Sequence, residues 1–204
     1  SVEGFVTFNV EYRRVGQPGG GWPGTFHDVT SAAAHVLANA KDLQVDPLRL
    51  IVAGHSAGGH LALWLAGRHR VASSSEIAGP RVPLRAAVSL GGAADLEHVD
   101  RLRLGDDAVR ELLGGSRGEL PERFAAASPA SLVPLGIPQF IVHGEMDADV
   151  PIDNALGYVA AARKAEDDVT TMLVEGIGHF EIVEPGSVIW PDVVSAIRAL
   201  GSDR

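Results

Sequence analysis

The residues best suited to do chemistry gather around Gly54-His55-Ser56-Ala57-Gly58. A short apolar, β-branched run, Ile51–Ala53, leads into this pentapeptide, and an Ala/Leu-rich stretch without charge until Arg68 follows it. Gly-x-Ser-x-Gly between a strand and a helix is the arrangement of a nucleophile elbow, a sharp turn that pushes the serine hydroxyl out beyond the strand. Gly54 and Gly58 lack the Cβ atoms that would crowd so tight a turn. A helix starting at Ala57 aims its free N–H groups and positive dipole end at the serine, where an oxyanion would form. The Ala57 N–H is therefore the candidate oxyanion donor.

A serine hydroxyl is a weak nucleophile at neutral pH and needs a base, normally a histidine oriented by a carboxylate. For a serine on a strand–helix elbow, the chain order is serine, acid, histidine, with both partners in loops after later strands. That order filters the histidines. His27, His35 and His55 precede the serine, His60 and His69 lie on or just after the elbow helix, and His98 falls in a polar excursion. His143 opens a loop that another strand follows. His179, in Glu175-Gly176-Ile177-Gly178-His179-Phe180, sits in a glycine-flanked loop directly after the last strand and is the candidate base. The loop after Val142 offers Glu145, Asp147 and Asp149 as the acid, and spacing alone does not choose among them. A spare carboxylate there is expected to cap the helix that starts near Ile152. This chemistry requires no metal and no cofactor.

The elements that must carry these residues alternate between strand and helix. Gly4–Val10 alternates bulky and small residues and predicts a first strand. Gln17–Gly24 is a Gly/Pro loop, and a helix is expected from about Thr25 to Lys41. Strands are predicted at Leu48–Ala53, Ala86–Leu90, Ile137–Val142 and Val169–Val174, with helices at Ile152–Glu166 and Trp190–Leu200. From Ala94 to Pro134 the chain is polar, Gly-punctuated and only locally helical (Asp106–Leu113, Glu122–Ala127), an excursion or cap-like segment between two core strands. Strands alternating with helices imply parallel βαβ units in a mostly parallel, doubly wound α/β sheet.

The 204 residues are expected to form a single domain with a substantial core. A formal charge of −9 argues against nucleic acid and anionic membrane as partners, because phosphate binding needs clustered Lys and Arg. With no cysteine there is neither a disulfide framework nor thiolate chemistry, which is compatible with a cytoplasmic location. No apolar run approaches the roughly 18 residues of a membrane helix. The start, Ser1-Val2-Glu3-Gly4, has no signal-peptide pattern and no initiator Met, so the true N-terminus is expected upstream. The remaining partner class is a small-molecule ester or amide.

His143-Gly-x-x-Asp147-x-x-Val150-Pro151 after a strand, followed by Gly176-x-Gly178-His179-Phe180, resembles the α/β-hydrolase superfamily, in its prolyl-oligopeptidase-like and esterase/lipase-like branches. Asn9-Val10-Glu11-Tyr12-Arg13-Arg14-Val15-Gly16, with Gly20-Gly21-Trp22-Pro23 and Asp28-Val29, is similar to BD-FAE and kynurenine-formamidase-like esterases. The resemblance runs over nearly the whole chain. It implies an α/β-hydrolase fold with Ser56 as nucleophile, His179 as base and Asp147 as acid, Asp149 being the second choice. It also implies that Glu11–Arg14 and Trp22-Pro23 brace the loops around the site. The implied activity is that of an esterase or arylformamidase. A prolyl-oligopeptidase-like peptidase and a catalytically weakened remnant serving as a binding module are the alternatives.

One departure carries a structural expectation. Members of the superfamily place a second oxyanion donor in a His-Gly-Gly loop, on a strand before the Asn-Val-Glu-Tyr segment. This chain starts only a few residues before that segment, which implies either a fragment of a longer product or a shortened relative. Loss of one such donor typically costs about 10²–10³ in turnover. In the family's strand order, the strand bearing that loop lies between Phe5–Val10 and the elbow strand. The expectation is a gap in the sheet or a new pairing, and a first strand prone to edge association.

Overall fold

The computed structural model describes residues 4–202. Among these, β1 (Ile51–His55), β2 (Ala86–Leu90), β3 (Gln139–Gly144) and β4 (Val169–Val174) form one sheet in chain order, every neighbouring pair parallel. Helices fill the connections: α1 (Gly24–Ala38) precedes β1, and α2 (Ala57–Gly67) follows it without a loop. Between β2 and β3 run α3 (Leu96–Leu102), α4 (Leu104–Leu113), α5 (Pro121–Ala127) and α6 (Pro129–Leu132). The helix α7 (Ile152–Lys164) joins β3 to β4, and α8 (Trp190–Gly201) closes the described chain.

Parallel strands covered on both faces are mostly apolar, and β2 and β3 are buried throughout, their polar positions Ser89, Gln139 and His143 included. Alternate side chains serve opposite faces. Ala87 and Ile141 pack with α2, α7 and the α3–α6 segment in one core, around Trp64, Tyr158 and Phe124. Val88, Leu90, Phe140 and Val142 pack on the other face against Ile182, Ile189 and Val193. With helices on both faces, the molecule has the α/β-hydrolase architecture.

The excursion is helical and well anchored. Asn154 of α7 is buried, its Oδ1 accepting from Ala94 N (2.8 Å) and Asp95 N (3.2 Å) while its Nδ2 donates to Asp95 O (2.8 Å). From α2, His60 Nε2 bonds Ala127 O (2.8 Å) and Trp64 Nε1 donates to Ala126 O (3.1 Å). Arg13 braces the start of α1 through Asp28, donating from Nε (2.8 Å) and Nη2 (2.7 Å), which holds the Asp28 carboxyl down at about 2. Trp22 packs edge-on against Phe26, donates to Glu76 and lies under the Arg123 guanidinium.

Two expectations fail. Gly4–Val10 is not a strand; it joins no ladder of the sheet among the described residues, and Val6, Phe8 and Val10 are substantially exposed. Alternation supplies faces, but a strand also needs a neighbouring backbone. Between this segment and β1 lies an apolar groove of about 440 Å³, lined by Phe5, Phe8 and Val10, by Ile51–Ala53, and by side chains of α1 and α8. The sheet therefore has the gap rather than a new pairing. The second failure is the α7 cap: Pro151 occupies the N-cap position, and no side chain accepts from the helix's first amides. The excursion holds two helices beyond those expected, α3 and α6, and elsewhere the differences are shifts of a few residues. The strand predicted at Leu48–Ala53 begins at Ile51 because Pro47–Arg49 forms a 3₁₀ turn with Asp46 accepting from Leu48 N.

Candidate active site

Ser56 stands at the junction of β1 and α2 with φ 55° and ψ −120°. A non-glycine residue at positive φ is strained and persists only where its surroundings impose it. They do so here. Ser56 N donates to Leu90 O of β2 (2.9 Å), and Ser56 O accepts from His60 N (3.1 Å) as the helix begins. Gly54 permits the turn: a Cβ there would lie 2.2 Å from the Gly58 backbone. At Gly58 a Cβ would meet nothing, so only the first glycine is required sterically. Ala57 is exposed as the first residue of α2, where amide groups have no intrahelical acceptor.

Asp147 and His179 meet across two loops. The turn after β3 folds Asp147 back so that Oδ1 accepts from Asp149 N (3.0 Å) and Val150 N (2.8 Å). Oδ2 lies 2.7 Å from His179 Nδ1, and both side chains are buried. A carboxylate only accepts, so Nδ1 carries the proton and Nε2 is left as the basic nitrogen. Ser56 Oγ makes no hydrogen bond among the described residues. Asp149 and Glu145 are exposed and do not bond His179. Asp147, Asp149 and His179 bring ligand-type atoms within 4.8 Å of one another and are the described residues able to hold a metal ion. Of the three, Asp147 and His179 are joined directly by the Nδ1–Oδ2 bond.

Three neighbours of the pair escaped the sequence reading of the site. His143, fully buried at the end of β3, bonds Val150 O through Nε2 (2.7 Å) and lies 3.4 Å from Asp147 Oδ2. The carbonyl requires the proton on Nε2, leaving Nδ1 buried without a partner. Gly91, just past β2 with φ +56°, lies against the pair: a Cβ there would come 3.3 Å from His179 Nδ1 and 3.4 Å from Asp147 Oδ2. The closing Gly91-Gly92 after β2 was the signal for it. His55 contacts the His179 ring and main chain; nothing in the sequence marks that contact.

Residues 1–159 match the BD-FAE family. The chain belongs to that family. It is 31% identical over 193 residues to the esterase LipC of Mycobacterium tuberculosis, covering 90% of this chain and 47% of LipC. It thus spans less than half the length of the curated relatives it matches. Among solved structures it is similar to a thermophilic esterase from Thermogutta terrifontis with propionate bound (25% identity, TM-score 0.70, 93% of this chain and 68% of that one). The same esterase phosphoramylated by tabun superimposes with a TM-score of 0.72 at 23% identity, over 93% of this chain and 67% of that one. Among the described residues, no helix is long and apolar enough to cross a membrane.

Proposed function

We propose that this chain carries the catalytic apparatus of a serine esterase acting on small carboxylic esters. Ser56 Oγ attacks the carbonyl carbon while His179 Nε2 takes its proton. Asp147 holds the imidazole in that tautomer and stabilises the imidazolium. The Ala57 N–H, at the positive end of α2, donates to the tetrahedral oxyanion. Collapse expels the alcohol, protonated by His179, and a water activated by the same nitrogen releases the acid and restores Ser56.

The observation that carries this reading is the buried 2.7 Å bond between His179 Nδ1 and Asp147 Oδ2, together with a serine held at φ 55° on a strand–helix elbow. The relatives named esterases support ester over amide, and propionate in the Thermogutta enzyme favours a short acyl group.

Intact-mass labelling with a fluorophosphonate tests it, with circular dichroism on the same sample. One adduct per chain is expected, absent in Ser56→Ala. Asp147→Asn should label about 10⁴-fold more slowly, because the amide no longer selects the tautomer. A folded chain that takes no label would sink the esterase reading and favour the binding module.

A further inference from the structure

His55 has no part in the chemistry just described, yet it holds the proposed base from a second direction. Its Nε2 lies 2.9 Å from the main-chain oxygen of His179. Its ring centroid is 4.4 Å from the His179 ring at a 47° tilt, and 5.8 Å from that of Phe180. Phe180 in turn packs edge-on against His179, 5.1 Å between centroids. A carbonyl oxygen only accepts, so His55 carries its proton on Nε2. Burial lowers the His55 pKa from its ordinary value and favours the neutral ring.

The connection matters because of where it runs. His55 is the last residue of β1 and the one immediately before Ser56, while His179 comes from the loop after β4, at the opposite edge of the sheet. Asp147 fixes the ring's tautomer and its angle about the Nδ1 bond, but its own anchors are in the β3–α7 loop. The His55 bond instead ties the base loop to the strand that ends in the nucleophile.

We propose that His55 is a positioning residue that sets the separation of Ser56 and His179 by clamping the His179 main chain and backing its ring. The inference rests on the esterase reading for its catalytic consequence, but not for the clamp itself.

The test compares His55→Ala, His55→Gln and His55→Phe with the parent chain, by fluorophosphonate labelling rate and by the ¹⁵N–¹H resonance of His179 Nδ1. The resonance reports the seat of the base without requiring turnover. His55→Ala should label about 10- to 100-fold more slowly, the range expected of a misplaced catalytic group, and its Nδ1–H signal should broaden through exchange with water. His55→Gln, whose amide can donate to the same carbonyl, should recover most of the rate and the sharp signal. His55→Phe, a ring without a donor, should recover less than Gln. If His55→Ala fails to fold, the order of Gln above Phe still decides.

Variants that label like the parent with unchanged Nδ1–H signals, or a Phe variant equal to Gln, would overturn the clamp and leave the esterase reading standing. A parent chain that takes no label, with an Nδ1–H signal that broadens in the Ala variant and persists in Gln, would sink the esterase reading and support the clamp.

Discussion

The two edges of β1 are unlike. On its β2 side the strand is paired along its full length, and the sheet beyond it is buried through β2 and β3 with helices on both faces. On its outer side lies the apolar groove, and beyond that residues 5–10, which form no strand. All of β1 is half-exposed or exposed. The proposed acid and base belong to the complete side, where Asp147 has its hydrogen bonds filled and His179 is buried. The proposed nucleophile, Ser56, sits on the boundary. It keeps its strained geometry because its anchors, Leu90 O and the α2 turn, all face the complete side. Order at the site is therefore inherited from β2 and β3, and the open edge contributes little to it.

The largest expected effect separates the two sides by stability. Phe140 is buried on β3 in the second core, and Phe140→Ala should cost about 3–5 kcal/mol by chemical denaturation. Val52, half-buried on β1 beside the groove, should cost only about 1 kcal/mol as Val52→Ala. Equal costs would break the comparison, since β1 would then be as fully packed as β3.

Much of the complete side can be read from sequence, because its signals are local. Val169–Val174 is a strand at the bounds its β-branched run predicts. The loops bearing Asp147 and His179 follow strands, as Gly144 and Gly176–Gly178 indicate. The open side misleads for a physical reason: the alternation in Phe5–Val10 describes a strand's two faces and says nothing of whether an adjacent backbone exists to pair with. His55 is opaque for a related reason. Its contact with His179 spans 124 residues, and its place before the serine gives no hint of a carbonyl to which it could donate. Gly91 is intermediate: a glycine after a strand is visible, whereas its position against the Asp147–His179 pair depends on the register of β2 and β3.

A smaller effect concerns acid and the clamp between α2 and the excursion. His60 is buried against Phe26 and bonds Ala127 O, and desolvation lowers its pKa from 6.5 to about 4. Between those values the unfolded chain binds a proton that the folded chain does not, so stability falls as pH drops from about 6.5 towards 4 and this contribution levels off below that. The loss amounts to about 3 kcal/mol. Urea midpoints at about pH 7 and pH 4.5 should therefore diverge more for the parent than for a His60→Gln variant, which has nothing to titrate there. Parallel pH dependence in the two would mean that this clamp does not set the acid sensitivity of the complete side.

The smallest effect belongs to the open side. Val6 is 61% exposed. It lines the groove, yet most of its surface is still in water, and a side chain left in water contributes little hydrophobic stabilisation. Val6→Ser should change the unfolding free energy by less than about 0.5 kcal/mol, the range of ordinary surface substitutions. What it should change is self-association, because Val6 and Phe8 present an apolar edge without a ladder partner. Sedimentation of the parent and the variant over a concentration series should show association reduced in Val6→Ser at unchanged stability. A destabilisation above about 1.5 kcal/mol, approaching that of a fully buried valine, would mean that Phe5–Val10 is packed like the strands it does not join, and the contrast between the two edges would be lost.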